Sequence, residues 1–137
     1  MHNMDAIRYY SRTGNTEKLA NMLGNQLKIE AKSIDTPLTG TVDRLYLGGG
    51  IYNLNVDERL KQFARNLDPK QVKEVFLFGT SGSLFTVGKQ LTKILDQKHI
   101  KVAKDHLYLH GLMPKMGNIN QHQQAEIKGF AKETVTE

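Results

Sequence analysis

Two kinds of hydrophobic pattern alternate along this chain: short apolar runs and longer stretches with helical spacing. The run at 75–78 is entirely apolar, which is typical of a strand buried on both faces. Shorter runs predict strands at 6–10, 29–34 and 44–47, the last ending in three consecutive glycines. Two further pieces, 100–102 and 107–109, are interpreted as parts of a fifth strand.

Between these runs, apolar residues recur at the spacing of one helix face, which predicts four helices. The expected faces are Leu19, Ala20, Leu23 and Leu27; Val56, Leu60, Phe63 and Leu67; Val87, Leu91, Ile94 and Leu95; and Ala125, Ile127, Phe130 and Ala131. The connection at 36–41 contains proline and glycine and has little room for a helix. Strands that alternate with helices predict an α/β, doubly wound fold with a parallel sheet covered on both faces.

Length and composition limit the number of domains and the classes of function that this chain can have. A chain of 137 residues is expected to form a single domain, 1–137, with a substantial core. The absence of cysteine excludes disulfides, a thiolate nucleophile and iron–sulfur ligation, and it fits a reducing compartment. The first residues lack a signal peptide's pattern, and no apolar run reaches membrane-spanning length. We therefore expect a soluble, cytoplasmic protein that does not associate with membranes.

The formal net charge of +5 raises the question of an anionic partner. Its lysines are scattered rather than clustered, and no nucleic-acid-binding motif accompanies them. This pattern favours a solvated, mildly basic surface over a nucleic-acid interface. An acidic protein partner or an anionic small molecule accounts for the charge equally well.

The most informative stretch lies where the first strand ends and the first helix begins. Its residues are Ser11, Arg12, Thr13, Gly14, Asn15 and Thr16. Free backbone N–H groups and the positive end of the helix dipole make such a turn suitable for an anion, and three hydroxyls and an amide add donors. Ordinary helix capping is the alternative for any one of these residues. Together they favour a phosphate site, although neither the lysine-containing phosphate loop nor the dinucleotide glycine motif is present.

Three loops with unusual composition follow strands one, three and four, at 11–16, 48–55 and 79–85. Ligands of parallel α/β sheets bind beyond the carboxyl ends of the strands, so we expect these loops to meet. A ligand with a phosphate at one end and a flat polar ring at the other would fit this arrangement.

No catalytic or metal-binding constellation stands out. His99, His106 and His110 lie in a region of strand and loop without an accompanying carboxylate pattern, which favours surface or packed histidines over a metal site. No serine–histidine–aspartate arrangement can be argued either. We therefore predict no metal and no catalytic residue.

These motifs resemble those of the short-chain flavodoxin family over nearly the whole chain. Residues 9–20 resemble the family's opening, whose loop T/S-x-T-G-N-T holds the FMN phosphate, and 47–52 and 77–82 resemble its two flavin-flanking loops. The resemblance implies FMN as cofactor and a five-stranded parallel sheet of order 2-1-3-4-5. It implies that 11–16 hold the phosphate. The residues it places around the isoalloxazine are Gly50, Ile51, Tyr52, Asn53, Leu54 and Asn55, and Thr80, Ser81, Gly82, Ser83, Leu84 and Phe85.

Tyr52 falls where the family puts a side chain against one flavin face, so the resemblance implies stacking there, while Tyr10 is expected in the core. Three features depart from the family. Ser83 stands where many members have a tryptophan, which implies a more open flavin face. Asn53 stands where the family often has the glycine that steadies the one-electron-reduced flavin. The basic charge contrasts with the usual acidity and predicts a less negative potential for the second electron.

Three functions remain open. The resemblance implies an FMN-binding electron carrier that works between a reductase and an acceptor protein. The basic composition predicts an acidic docking face on its redox partner. The alternative is a small FMN-dependent oxidoreductase, because 50–52 also resemble the quinone-dependent protoporphyrinogen oxidases. The third is a phosphate-binding regulatory domain without flavin. A carrier is preferred because no nicotinamide-binding module is recognisable, and a monomer is the default.

Overall fold

A computed structural model describes residues 4–11, 15–49, 51–52, 55–80, 84–104, 106–109 and 121–135 of the chain. The strands are β1 (Asp5–Tyr9), β2 (Ala31–Ser33), β3 (Val42–Gly49), β4 (Ile51–Tyr52), β5 (Asn55–Val56), β6 (Val72–Thr80), β7 (Lys101–Val102) and β8 (Leu107–Leu109). The helices are α1 (Asn15–Leu27), α2 (Glu58–Arg65), α3 (Leu84–Gln97) and α4 (Gln121–Val135). Strands and helices therefore alternate as the hydrophobic pattern predicts.

The main sheet is parallel and has the order β2-β1-β3-β6, with β7 and β8 both paired to β6. Val102 lies opposite Val75, and Leu107 lies opposite Phe78. The two short strands are therefore successive parts of one edge strand, as predicted. With β7 and β8 taken together, the sheet is five-stranded with the order 2-1-3-4-5, which confirms the expected fold class.

Helices cover both faces of this sheet and divide the core into two layers. The α1/α4 face contains Ile7, Leu19, Ala20, Leu23, Tyr46, Phe76, Phe78, Leu107, Ile127, Phe130 and Ala131. The α2/α3 face contains Val42, Leu45, Leu47, Leu60, Ala64, Leu67, Val72, Val75, Leu77, Leu91, Leu95 and Ile100. The alternation of side chains along β3 and β6 sends neighbouring residues to opposite layers, which explains why 75–78 are all apolar.

The connection between β2 and β3 is not helical over residues 34–41, as predicted. On the α2/α3 face this segment is held by Arg8, whose Nε donates to the carbonyl of Thr36 at 2.9 Å and whose Nη2 donates to that of Pro37 at 3.0 Å. Nη1 donates to the carbonyl of Ile7. A buried arginine thus satisfies carbonyl groups that a helix would have satisfied internally.

A second buried arginine anchors the end of α4 on the opposite face. Arg44 Nε pairs with Asp5 Oδ1 at 3.0 Å, and Nη1 donates to the carbonyl of Thr134 at 2.7 Å. The hydroxyl of Tyr46 donates to Thr134 Oγ1 at 2.7 Å. The Thr134 hydroxyl in turn donates to the carbonyl of Ala131. These bonds join β1, β3 and the last turn of α4.

Several details differ from the sequence predictions. Ala125, predicted on the buried face of the last helix, is exposed, whereas Gln123 and Thr134 are buried. The polar Thr134 occupies a core position because Tyr46 and Arg44 supply its hydrogen bonds. In the part of the chain that the structure describes, none of the helices has the length and apolar character needed to cross a bilayer.

Candidate functional site

The carboxyl ends of β1, β3 and β6 meet at one edge of the sheet. Tyr9 lies opposite Gly48, and Gly49 lies opposite Gly79 on the next strand. The amide of Tyr10 extends this pairing by donating to the carbonyl of Gly48 at 3.1 Å. The three segments expected to bind a ligand therefore begin side by side, on adjacent strands.

The predicted phosphate turn joins β1 to α1. Ser11 is half-buried just beyond the strand, and α1 begins at Asn15. Thr16, in the first helical turn, is only 1% exposed. The backbone N–H groups of a first helical turn have no partner within the helix and point toward the turn. Arg12, Thr13 and Gly14 lie outside the described residues, as does the side chain of Asn15.

Two glycines at the end of β3 allow close packing beneath this edge. A Cβ on Gly48 would overlap the ring of Phe78, and one on Gly49 would overlap the end of the Leu60 side chain. These positions admit no side chain while Phe78 and Leu60 keep their places. The glycine-rich stretch predicted as the start of a loop is thus partly strand, because β3 continues through Gly49.

Beyond β3 the chain forms a short antiparallel hairpin, whereas 48–55 were predicted to be a loop and Val56 was predicted on the face of the second helix. Val56 lies in β5, and α2 begins only at Glu58 because the side chain of Asp57 caps it by accepting from the N–H of Arg59. Ile51 pairs with Val56, and Tyr52 pairs with Asn55. The second strand of the hairpin lies against α3. Its two-residue connection, Asn53-Leu54, lacks the Asn-Gly or Asp-Gly signal of a tight hairpin, which explains why the sequence did not reveal it.

The third segment runs from the end of β6 at Thr80 to the start of α3 at Leu84. For this segment and the hairpin, the structure describes the backbone of the predicted residues Ile51, Tyr52, Asn55, Thr80, Leu84 and Phe85. Predicted site residues outside the described part of the chain are Gly50, Asn53, Leu54, Ser81, Gly82 and Ser83. The stacking role of Tyr52 stays a prediction.

Two consecutive tyrosines precede the predicted phosphate turn, Tyr9 packing against the α1/α4 layer of the core and Tyr10 against the α2/α3 layer. The hydroxyl of Tyr9 donates to Glu17 Oε2 at 3.2 Å, and burial, together with the charge and hydrogen bond of Glu17, raises the pKa of this phenol. Tyr10 is half-buried against the core, with the guanidinium of Arg59 at 5.8 Å from its ring centre and Nη1 at 3.5 Å from its hydroxyl. No sequence signal pointed to Glu17 or Arg59.

The histidines do not form a metal site within the described part of the chain. His99 and His106 are exposed, and His106 Nδ1 lies 3.1 Å from the carbonyl of Lys104. No group of three or more potential metal ligands occurs among the described residues. His110 lies outside them.

The sequence matches the family model of the flavodoxin domain over residues 6–137. This match covers nearly the whole chain, and the chain belongs to the flavodoxin family. Its cofactor is therefore FMN, as the resemblance implied.

Solved structures agree with the fold. Flavodoxin 1 of Bacillus cereus, in its oxidised form, is similar with a TM-score of 0.72 at 17% identity, over 96% of this chain and 97% of the other. Flavodoxin 2 of the same organism is similar with a TM-score of 0.74 at 17% identity, over 97% of this chain and 98% of the other. An NADH:FMN oxidoreductase in its apo form is similar with a TM-score of 0.70 at 12% identity, over 96% of this chain and 88% of the other. No curated protein matches the sequence.

The observed edge fits FMN. A helix N-terminus with a buried threonine suits a phosphate dianion, because backbone N–H groups and the helix dipole both favour negative charge there. Closely packed glycines at the end of β3 let the adjoining segment approach a flat ligand at the sheet edge. The residues 11–16 would hold the phosphate, and the hairpin and the 80–85 segment would flank the ring system.

Proposed function

We propose that this protein is an FMN-dependent electron carrier that works between a reductase and an acceptor protein. The observation that carries the proposal is that the structural match covers nearly all of this chain and nearly all of each flavodoxin. The chain and each Bacillus cereus flavodoxin match over almost their full lengths, so the fold they share extends over the whole of this chain and supports a carrier of the flavodoxin type. At 17% identity this likeness concerns the fold, and the carrier role is our inference from it.

In this proposal bound FMN supplies reversible one- and two-electron chemistry, and the protein positions it and sets its potential. The first turn of α1 supplies N–H donors to the phosphate, and Thr16, which is buried there, supplies a hydroxyl. The hairpin and the 80–85 segment would exclude water from the ring faces. No residue of this chain is assigned a catalytic role.

The sharpest test of the site replaces Thr13 and Thr16 together by valine. Valine keeps the shape of threonine and removes the hydroxyl, and each lost bond to a charged group is worth about 1.5–3 kcal/mol. We expect FMN to dissociate at least tenfold more readily, measured by quenching of FMN fluorescence. Thr39→Val with Thr41→Val, in the exposed β2–β3 connection, is the matched control. Unchanged affinity in the Thr13/Thr16 variant would remove both residues from the site.

The basic composition supports a further part of this proposal. A positive surrounding favours the anionic, fully reduced cofactor, so the potential for the second electron should be less negative than in an acidic flavodoxin. A redox titration at low and high salt tests this, since salt screens the surface charge and should lower the potential. A potential as negative as that of an acidic flavodoxin, or one that salt leaves unchanged, contradicts it.

The same charge supports a partner with an acidic docking face. We expect the rate of electron transfer from an acidic reductase to fall steeply as salt is added, because screening removes electrostatic steering. The control is a basic reductase, whose rate should rise with salt. Equal salt dependence for both would argue against the charge-guided encounter.

A small oxidoreductase acting directly on its substrate is the second candidate. Two observations support this candidate. The chain is similar to the NADH:FMN oxidoreductase over 96% of its length, and Ser83 stands where many flavodoxins have a tryptophan that covers the flavin. Turnover of NADH or a quinone by the purified FMN complex, without added protein, distinguishes the two. Steady turnover would establish the enzyme, and its absence alongside rapid reduction by a reductase would support the carrier.

We also propose the cytoplasm as the location, because a chain without cysteine has no need of an oxidising compartment and its redox partners would be found there. Cell fractionation with antibody detection tests this. Recovery with the membrane or the exported fraction would contradict it.

A further inference from the structure

A hollow of about 850 Å³ lies between α3 and the edge strand on the α2/α3 face of the sheet. Its apolar base is formed by Leu77 of β6 and Val102 of β7, which pack in the α2/α3 layer, and Ala103 also lines it. The helix contributes Gly88 and Thr92 to its wall. None of these residues belongs to the three segments assigned to FMN.

The hollow lies beside an interruption of the edge strand. Between Val102 and Leu107 the edge strand advances five residues, whereas its partner β6 advances three, from Val75 to Phe78. Two additional residues therefore lie outside the ladder between β7 and β8. On the helix side, the lining residues Gly88 and Thr92 are small and leave the space unfilled.

The rim of the hollow is basic. Lys89 and Lys93 lie one helical turn apart, are both exposed, and form no ion pair within the described residues. His106 adds a third basic group from the strand side, and Asp96 is the one acidic residue among the described lining residues. An apolar base beneath two exposed ammonium groups is complementary to a ligand with an apolar body and one acid group.

We propose that this hollow binds an amphipathic carboxylate, a linear or aromatic acid of about ten carbons or more. Its volume falls in the range of small-molecule sites, which are mainly apolar with a few polar groups that fix orientation. The apolar body lies on Leu77 and Val102, and the carboxylate lies between Lys89 and Lys93. Burial of the methylene groups favours binding of the apolar body, and the pair of ammonium groups selects the acid group.

Decanoate is the probe, added to the FMN-loaded protein below its critical micelle concentration. We expect saturable binding by titration calorimetry, with amide NMR shifts concentrated at 88–93 and 102–106. Decyltrimethylammonium has the same chain and the opposite charge, and it should bind at least tenfold more weakly. Equal affinity for the two probes, or shifts spread over the whole surface, would overturn the proposal.

Two variants test the apolar base and the basic rim separately. Thr92→Phe fills the hollow from the helix and should abolish binding, whereas Lys89→Gln with Lys93→Gln should weaken it about tenfold. The matched control is Lys128→Gln with Lys132→Gln on α4, an exposed pair at the same spacing on the other face of the sheet, which should bind as the unmodified protein does. Equal weakening in both lysine pairs would show a general charge effect and overturn the site.

Two further measurements distinguish this hollow from a membrane-binding surface and from the FMN site. Binding to anionic or neutral phospholipid vesicles in the absence of decanoate binding would indicate a membrane surface and contradict the proposal. Thr13→Val with Thr16→Val should lose FMN and keep decanoate binding, since the two sites share no residue. Loss of both ligands in that variant, with the fold intact by circular dichroism, would contradict an independent site.

Discussion

The two faces of the sheet are built differently, although the same strands supply both. The α1/α4 face contains stacked aromatic rings, Tyr46 on Phe76 at 5.1 Å and Phe130 edge-on at 5.9 Å, together with hydrogen bonds to the end of α4. The α2/α3 face is aliphatic, carries the helix-free connection, and contains the hollow beside α3. On the α1/α4 face, specific hydrogen bonds hold the end of the last helix, whereas the α2/α3 face contains a hollow and a connection without a helix.

Buried arginines show the same difference. Arg44 has a carboxylate partner, Asp5, and a helix-end carbonyl, whereas the side-chain bonds of Arg8 all go to carbonyl groups. Burial accordingly lowers the pKa of the Arg8 guanidinium. Breaking the Arg44–Asp5 pair leaves a largely buried carboxylate without its charged partner, whereas the part-buried carbonyls of Thr36 and Pro37 can be reached by water once Arg8 is removed.

The largest expected effect comes from replacing each arginine by methionine. Arg44→Met leaves Asp5 and the Thr134 carbonyl without their donor and should lower the free energy of unfolding by about 3 kcal/mol. Arg8→Met exposes the carbonyls of Thr36 and Pro37 to water and should cost about 1 kcal/mol. Urea unfolding measures both, and equal losses would contradict the proposed difference between the faces.

A second comparison uses the neighbouring glycines of β3. Gly48→Ala would place its methyl group against the ring of Phe78, which is fully buried and cannot move aside, so we expect a loss of about 2 kcal/mol. Gly49→Ala meets the end of the Leu60 side chain, which can change rotamer, so the loss should be about 1 kcal/mol. Thermal unfolding of the two variants should rank them in this order, and the reverse order would show that Leu60 is the more constrained side chain.

A smaller effect is expected from the polar contact within the aromatic layer. Tyr46→Phe keeps the ring on Phe76 and removes the bond to Thr134, which should cost about 1 kcal/mol. Phe76→Leu is a useful comparison because it disturbs stacking and leaves this bond intact. If Tyr46→Phe unfolds at the same urea concentration as the unmodified protein, water replaces the lost bond and α4 is not anchored by it.

The smallest effect concerns pH. The pKa of Tyr9 is raised above its ordinary value of 10.0, first by burial and then by Glu17, so the folded state retains the phenol proton more strongly than the unfolded state. Its contribution to stability is therefore present below pH 10 and is lost as the pH rises through the folded-state pKa. Absorbance titration against Tyr9→Phe should remove one late-titrating phenol. A variant whose titration curve loses an ordinary phenol instead would contradict the shift.

Much of the fold followed from local patterns. The apolar run 75–78, most positions on the faces of the first three helices and the split fifth strand were predictable, because the spacing of apolar residues depends on the element itself. Val56 is an exception, since it was predicted on the face of the second helix and lies in β5. The position of 11–16 between a strand and a helix was predictable for the same reason. The β4–β5 hairpin was not, since its connection lacks the usual turn residues and its pairing rests on the packing of β5 against α3.

By itself, the sequence determined the order of the main-sheet strands and the helices, the family and the cofactor, because these depend on short motifs and regular spacing. Only the tertiary structure decided which polar residues are buried. Thr134 lies in the core because Tyr46, 88 residues away in sequence, supplies its partner, and Arg8 is buried because Thr36 and Pro37, 28 and 29 positions further along the chain, supply its acceptors. The hollow beside α3 likewise depends on how this helix packs against the edge strand. A polar side chain is stable in a core only when partners are present, and no local pattern records partners brought together by folding.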